Sequence, residues 1–318
     1  MSNLDATPPL THCGGLADVA PRPVAEVFTG REVMLGESKV RRLLPNLGRR
    51  LVGPWCFVDH YGPDDIANEP GMQVPPHPHI GLQTVSWLLD GTVRHRDSLG
   101  SDEVLRPGTL GLMTSGRGIT HAEQSPVPHP AQLHGVQLWV ALPDADRAIA
   151  PVWEFHDDLP VDGGVTVIMG ELGGARSGGT AHSPMLGAEV ALEPGGQIRV
   201  PLEPGFEHAV LVMSGDISVD EHDLGVGAML YLGCARRELR FRSDAGARAM
   251  LLGGAPFEEQ VVMWWNFVGR SNDEIVAARA AWEQNTSDQF PDVAGFDGFR
   301  LPAPALPPGQ LKPGGAVR

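Results

Sequence analysis

Two short stretches decide how this chain folds: Pro76-His77-Pro78-His79-Ile80-Gly81-Leu82-Gln83-Thr84 and Gly116-Arg117-Gly118-Ile119-Thr120-His121-Ala122-Glu123. Alternate side chains of a β-strand share a face, so His77 and His79 point to one side and His121 and Glu123 do the same. Pro78 lacks a backbone N–H, which confines its segment to a sheet edge or a strand start. Gly116-Arg117-Gly118 supplies a tight turn ahead of the second pair. Brought together inside a barrel, the pairs offer three imidazole nitrogens and one carboxylate oxygen.

Imidazole with carboxylate and no thiolate suits iron(II), manganese, nickel, copper(II) or zinc, and affinity order alone does not choose among them. In an octahedral site four protein ligands leave two positions open. A structural zinc site would be closed and would usually contain cysteine, so the expected centre is one for reaction or sensing. Of the twelve histidines, His12, His60, His95, His129, His134, His156, His182, His208 and His222 have no partner at ligand spacing and read as surface or satisfied core residues. Trp87, Trp139, Trp264 and Trp265 read as core, and Met72 and Met113 as core or pocket mouth.

Working outward, short β-favouring runs alternate with turn signals. Trp55–Asp59, Thr84–Leu89, Leu110–Met113 and Val136–Val140 are separated by Gly-Pro, Asp90-Gly91, Pro107-Gly108 and Ser115-Gly116, as in a sandwich or barrel. A second β-rich block spans 165–252, with Ala209–Met213 and Ile217–Val219 as strands around a turn. Gly225-x-Gly227 before Met229–Leu232 resembles Pro107-Gly108 before Leu110–Met113, and Leu88–Gly91 has its counterpart in Met213–Asp216. One barrel used twice is expected, joined through 144–164. Near the end Ser271, Asp273 and Glu274 form a helix-start signal, and Ile275, Ala278, Arg279 and Trp282 follow at helical spacing, to pack on the adjacent barrel. Residues 1–24 read as a flexible leader and 291–318 as a Pro/Gly-rich tail.

The 318 residues are enough for about two domains, and 42% hydrophobic content supports a core in each. The 40 glycines and 29 prolines suit many turns. A formal charge of −15 repels phosphate backbones, so no direct nucleic-acid binding is expected. The three cysteines, Cys13, Cys56 and Cys234, form no C-x-x-C and point to neither a disulfide framework nor a thiolate zinc site. The N-terminal residues do not read as a secretory signal, and no run approaches the ~20 apolar residues that span a bilayer. No membrane association is expected, and a cytoplasmic location is.

These residues together resemble the pirin family of the cupin superfamily. The stretches that carry the likeness are Gly53–His60, Pro76–Gly91, Ser115–Glu123, His134–Val140, Gly254-x-Pro256 and Val262–Val268. The resemblance implies an all-β fold of two cupin (jelly-roll) barrels in tandem with a short C-terminal helix. It divides the chain into an N-terminal metal-binding cupin at 25–150 and a C-terminal cupin lacking metal ligands at 151–290. It further implies His77, His79, His121 and Glu123 as ligands to one divalent transition metal, usually iron. Relatives are associated with quercetin 2,3-dioxygenase activity and, in eukaryotes, with binding transcription regulators.

The expected function is therefore an iron-dependent dioxygenase acting on a small aromatic or enediol-like substrate, with Glu123 as ligand and proton acceptor. The alternatives are turnover of another small acid or phenol, and a metal- or redox-sensing protein that binds a protein partner without turnover. One departure stands out: many relatives carry Glu at the position of Gln83, a metal ligand in the wider cupin pattern, and an amide cannot serve as a carboxylate base.

Overall fold

The computed structural model describes residues 3–16, 19–35, 38–285 and 288–307. The first part of the chain forms β1 (Thr11–Gly14), β2 (Pro23–Thr29), β3 (Arg31–Leu35), β4 (Ser38–Leu44), β5 (Trp55–Asp65), β6 (Gln73–His79), β7 (Leu82–Asp90) and β8 (Val93–Asp97). It continues through β9 (Asp102–Leu105), β10 (Leu110–Thr114), β11 (Ile119–Gln124), β12 (Gln132–Ala141) and β13 (Val152–His156). The second part forms β14 (Val161–Asp162), β15 (Val165–Leu172), β16 (Ala175–Arg176), β17 (Met185–Leu192), β18 (Gly196–Pro201), β19 (Glu207–Ser214) and β20 (Ile217–Val219). After β21 (His222–Leu224), β22 (Ala228–Gly233), β23 (Glu238–Ser243) and β24 (Ala247–Gly254) come β25 (Gln260–Trp264), β26 (Phe267–Gly269) and the helix α1 (Asn272–Gln284).

The two halves repeat one topology. In the first, a large sheet contains the order β10-β7-β12-β5 and a smaller one runs β6-β11-β8-β9. In the second, the corresponding orders are β22-β19-β24-β17 and β18-β23-β20-β21. Each large sheet is extended by a strand from outside its barrel: β13 pairs with β10, and β2, which precedes the first barrel in sequence, pairs with β22. The internal repeat expected from sequence is thus real, with one shift in alignment. Gly91 and Gly215, at φ +87° and +69°, make the same turn, so Leu88–Gly91 corresponds to Val212–Gly215. A Cβ at either would fall within 2.5 Å of a backbone oxygen of a neighbouring segment, Gln132 O or Gly246 O, and only glycine suits that backbone region.

The two large sheets pack face to face. Val85, Trp87 and Leu89 of β7 meet Ala209, Leu211 and Met213 of β19 in one continuous buried cluster. Trp55 reaches across, its Nε1–H donating to the carbonyls of Leu186 at 3.0 Å and Gly253 at 3.1 Å. Trp87 Nε1–H donates to Glu189 at 2.9 Å, and Glu189 is ion-paired with Arg248. Burying two indoles whose N–H groups are satisfied is strongly stabilising; a core Trp→Ala change costs ~3–5 kcal/mol.

The interiors differ. The strands of the second barrel that correspond to β6 and β11 carry Ile198 and Val200 opposite Phe241 and Leu239, packed among apolar neighbours. The first barrel has imidazoles there.

Residues 257–307 return to cover the first barrel. β25 pairs with β26 and with β1, and Ile80 bridges Phe267. Ser271 caps α1 by accepting from Glu274 N–H at 3.3 Å, and Ile275, Ala278 and Trp282 are buried. Glu274 does not return the bond to Ser271; its carboxylate accepts from Arg270 N–H at 2.8 Å and from Arg147. The stretch read as a flexible leader contains a paired strand, since β1 covers the open edge of β25, and Asn3 is buried with hydrogen bonds to Asn266 and Trp265. Of the tail, Val293 and Ala303 are buried and Leu301 N–H donates to Pro76 O at 2.8 Å; residues from 308 onward lie outside the described residues. Among the described residues no helix is long and apolar enough to cross a membrane.

His60 and His134 sit together on the sheet face turned toward the second barrel, their Nε2 atoms 2.9 Å apart. Burial, then the neighbouring His134 and Arg41, lower the pKa of His60 to about 3. A histidine that stays neutral when folded but protonates below its ordinary pKa when unfolded removes stability as pH falls from about 6.5 toward 3. Between pH 7 and pH 5 this one group accounts for about 2 kcal/mol. Urea unfolding at the two pH values should therefore show a stability loss smaller by about that amount in His60→Gln than in the parent protein. An identical loss in both proteins would contradict the assignment.

Candidate metal centre

β6 and β11 are neighbours in the small sheet of the first barrel, with His121 directly opposite His77 and Ile119 opposite His79. The pleat therefore turns both pairs identified from sequence toward the same interior. His77, His79 and His121 are each fully buried, and one ligand atom from each lies within 4.8 Å of the others. Ring centroids are 5.1 Å apart for His77 and His79, 4.3 Å for His77 and His121, and 4.9 Å for His79 and His121.

Each ring is oriented by what its Nδ1 meets. His77 Nδ1 is 2.8 Å from Pro75 O, and His79 Nδ1 is 3.0 Å from Asn266 O. A carbonyl only accepts, so both rings carry their proton on Nδ1 and their lone pair on Nε2. His121 Nδ1 faces His95 Nδ1 at 3.4 Å. Its Nε2 is buried with no hydrogen-bond partner among the described residues. A buried polar atom without a partner is costly unless something else satisfies it, and a metal ion at the triad would.

Burial lowers the pKa of all three imidazoles, that of His77 to about 4, where the Glu123 charge opposes the shift. For His79 and His121 burial leads, followed by the neighbouring histidines. The triad is thus neutral at physiological pH, the form in which imidazole binds a metal. Trp139 lies edge-on to His79 with centroids 5.2 Å apart and stacks on Phe57 at 4.0 Å, so this expected core tryptophan also braces a site ring.

Glu123 is buried on β11, opposite Val74 on one side and His95 on the other. Among the described residues, the close group of ligand-type side chains is His77, His79 and His121. Between His121 and Glu123 the pairing with β6 slips, so two steps along β11 match three along β6. Glu123 nonetheless remains within electrostatic reach of His77 and of Tyr61, whose hydroxyl pKa is raised by burial and by that carboxylate.

Gln83 does not face the triad. It shares a strand face with Val85 and Trp87, and its Nε2 donates to Thr114 Oγ1 at 2.8 Å and to Thr180 O at 3.0 Å. Among the histidines set aside from sequence, His60, His134 and His95 are partnered within the core. His208 is buried in the second barrel with neither ring nitrogen bonded among the described residues. His95 was readable in principle: Val93-x-His95-x-Asp97 alternates as the ligand pairs do. Asn266, 187 positions from His79, left no local sign.

His121→Ala should abolish metal retention, measured by elemental analysis of anaerobically purified protein. Gln83→Glu should leave metal content unchanged while lowering stability by about 1–3 kcal/mol, because a buried carboxylate oxygen would then face the Thr180 carbonyl. A gain or loss of bound metal in Gln83→Glu would contradict this placement.

Comparison with known proteins agrees with this architecture. The pirin family model matches residues 37–140, and the model of the pirin C-terminal cupin domain matches 187–288. A Pseudomonas aeruginosa protein provisionally named quercetin 2,3-dioxygenase is 44% identical over 276 residues, 86% of this chain and 87% of its own. Human pirin is 30% identical over 260 residues, covering 76% of this chain and 85% of its own. The crystal structure of quercetin 2,3-dioxygenase from Acinetobacter baumannii is similar with a TM-score of 0.84 at 38% identity, over 90% of this chain and 97% of that one. With two matching barrels and a histidine triad in the first, this chain belongs to the pirin family.

Proposed function

We propose that this protein is an iron(II)-dependent dioxygenase of the quercetin 2,3-dioxygenase type, acting on a flavonol or a similar enediol-like aromatic. The observation that carries the reading is the buried triad of His77, His79 and His121, in a chain alike over 90% of its length to a quercetin 2,3-dioxygenase of solved structure. Iron(II) suits imidazole and carboxylate donors without thiolate. The three histidines would hold it, with Glu123 as the fourth ligand.

A bound divalent ion supplies Lewis acidity, which favours the deprotonated form of a coordinating substrate hydroxyl. The chain contributes the rest. Glu123 takes up the hydroxyl proton on its carboxylate, a role that requires it ionised and close to the triad. The imidazoles, locked through Nδ1, hold their lone pairs in place without reorganisation. Trp139 and Phe57 line the His79 side with aromatic surface. In the proposed reaction the flavonol ring opens, both atoms of dioxygen enter the product and carbon monoxide leaves.

The test is dioxygen uptake with quercetin by anaerobically purified, iron-loaded protein. Uptake is expected with carbon monoxide release, lost in His121→Ala. Glu123→Gln should lower the rate by about 10²–10⁴-fold, the usual contribution of a general base. Protein that holds iron but consumes no dioxygen with any flavonol would overturn the proposal.

A further inference from the structure

His77 and His79 are oriented by backbone carbonyls, whereas His121 is not. Its Nδ1 faces a side chain, and that side chain belongs to a buried pair outside the ligand set. His95 and Asp97 lie on β8, opposite Glu123 and His121 respectively, and are 2% and 1% exposed. His95 Nε2 is 3.1 Å from Asp97 Oδ2, and His95 Nδ1 is 3.4 Å from His121 Nδ1. The His95 ring lies flat on Trp153, with centroids 3.6 Å apart and planes 4° from parallel. The other Asp97 oxygen, Oδ1, accepts from Leu99 N–H at 2.8 Å and Ser101 N–H at 3.1 Å. The carboxylate is thus pinned by the turn between β8 and β9.

The proton count along this chain has one solution for neutral rings. A carboxylate accepts, so His95 carries its proton on Nε2 and its lone pair on Nδ1. That lone pair can only accept, so His121 carries its proton on Nδ1. The lone pair of His121 is then on Nε2, the buried atom left without a partner. Both nitrogens of His95 are engaged, so it is not itself a ligand.

We infer that His95 and Asp97 form a positioning dyad that fixes the tautomer and ring angle of His121 for metal binding. This rests on His121 being a metal ligand, as in the proposed function, but not on the reaction. Partners of this kind beyond the ligands themselves typically change metal affinity 10–100-fold when removed. The dyad also predicts which substitution does what. Asp97→Asn keeps an oxygen for the turn but turns an NH₂ toward His95, which reverses the His95 tautomer and sets two N–H groups against each other at His121. His95→Phe keeps the stack on Trp153 and removes the acceptor. His95→Gln offers an amide oxygen in its place.

The experiment measures Co(II) affinity by competition with a chelating dye, together with ¹⁵N NMR of the imidazoles in metal-free protein; the signal lost in His121→Gln identifies His121. We expect Nδ1-protonated His121 in the parent protein and the opposite tautomer in Asp97→Asn. Co(II) affinity should fall 10–100-fold in Asp97→Asn and His95→Phe, and stay within a few-fold of the parent in His95→Gln. An Nε2-protonated His121 in the parent protein overturns the inference, as does parental Co(II) affinity in both weakened variants. The outcomes separate from the enzymatic reading: tight Co(II) binding with the expected tautomers but no dioxygen uptake by the iron form removes the dioxygenase and keeps the dyad. Parental Co(II) affinity in His121→Ala removes His121 as a ligand, and the dyad with it.

Discussion

The packing of two large sheets against each other sets the inside and outside of everything else. Because neighbouring residues of a strand face opposite ways, committing Val85, Trp87 and Leu89 to the contact between barrels commits Thr84, Ser86 and Leu88 to the interior of the first. The same parity turns Gln83 away from the histidine triad and sends its amide to Thr114 and Thr180. A register slip of one residue in β7 would reverse all of these assignments at once. The indole N–H bonds of Trp55 and Trp87 to the second barrel, at 2.9–3.1 Å, give that register a directional lock that apolar contact alone lacks.

Within the first barrel, the site combines complete burial of three imidazoles with donors that need no charge. Three imidazoles buried together cannot all be protonated, and burial holds them neutral. Neutral rings still have to present the correct nitrogen. The structure solves that separately for each: by the carbonyl of Pro75 at the head of the same strand, by the carbonyl of Asn266 from the far end of the chain, and by the His95 side chain. The second barrel contains the same strand frame with Ile198, Val200, Leu239 and Phe241 in the corresponding region. That region is hydrophobic in the second barrel and presents the histidine triad in the first.

Much of this was legible in the residues. The strands around Trp55, Thr84, Leu110, Val136, Ala209, Ile217 and Met229 were marked by β-branched and aromatic runs between glycine turns, and each is a strand in the structure. The H-x-H and H-x-E pairs announced a shared face because spacing of two is what a pleat converts into proximity. The helix start at Ser271 was equally local. Long-range relations were not legible. That Gln83 faces the other barrel depends on which side of β7 that barrel covers. The slip in the pairing of β11 with β6 beyond His121 is likewise set by the neighbouring strand. The pairing of Thr11–Gly14 depends on β25, some 250 positions away, for which Pro- and Gly-rich composition holds no signal.

The hydrogen bond between His79 and Asn266 ties the centre to the timing of synthesis. A ribosome delivers β6 and β11 long before it delivers the hairpin of β25 and β26, so a nascent chain with its first barrel complete still lacks the acceptor that orients His79. The segment around Leu301, whose N–H donates to the carbonyl of Pro76 within β6, arrives later still. The orientation of His79 is therefore complete only once the hairpin of β25 and β26 has folded back against β6.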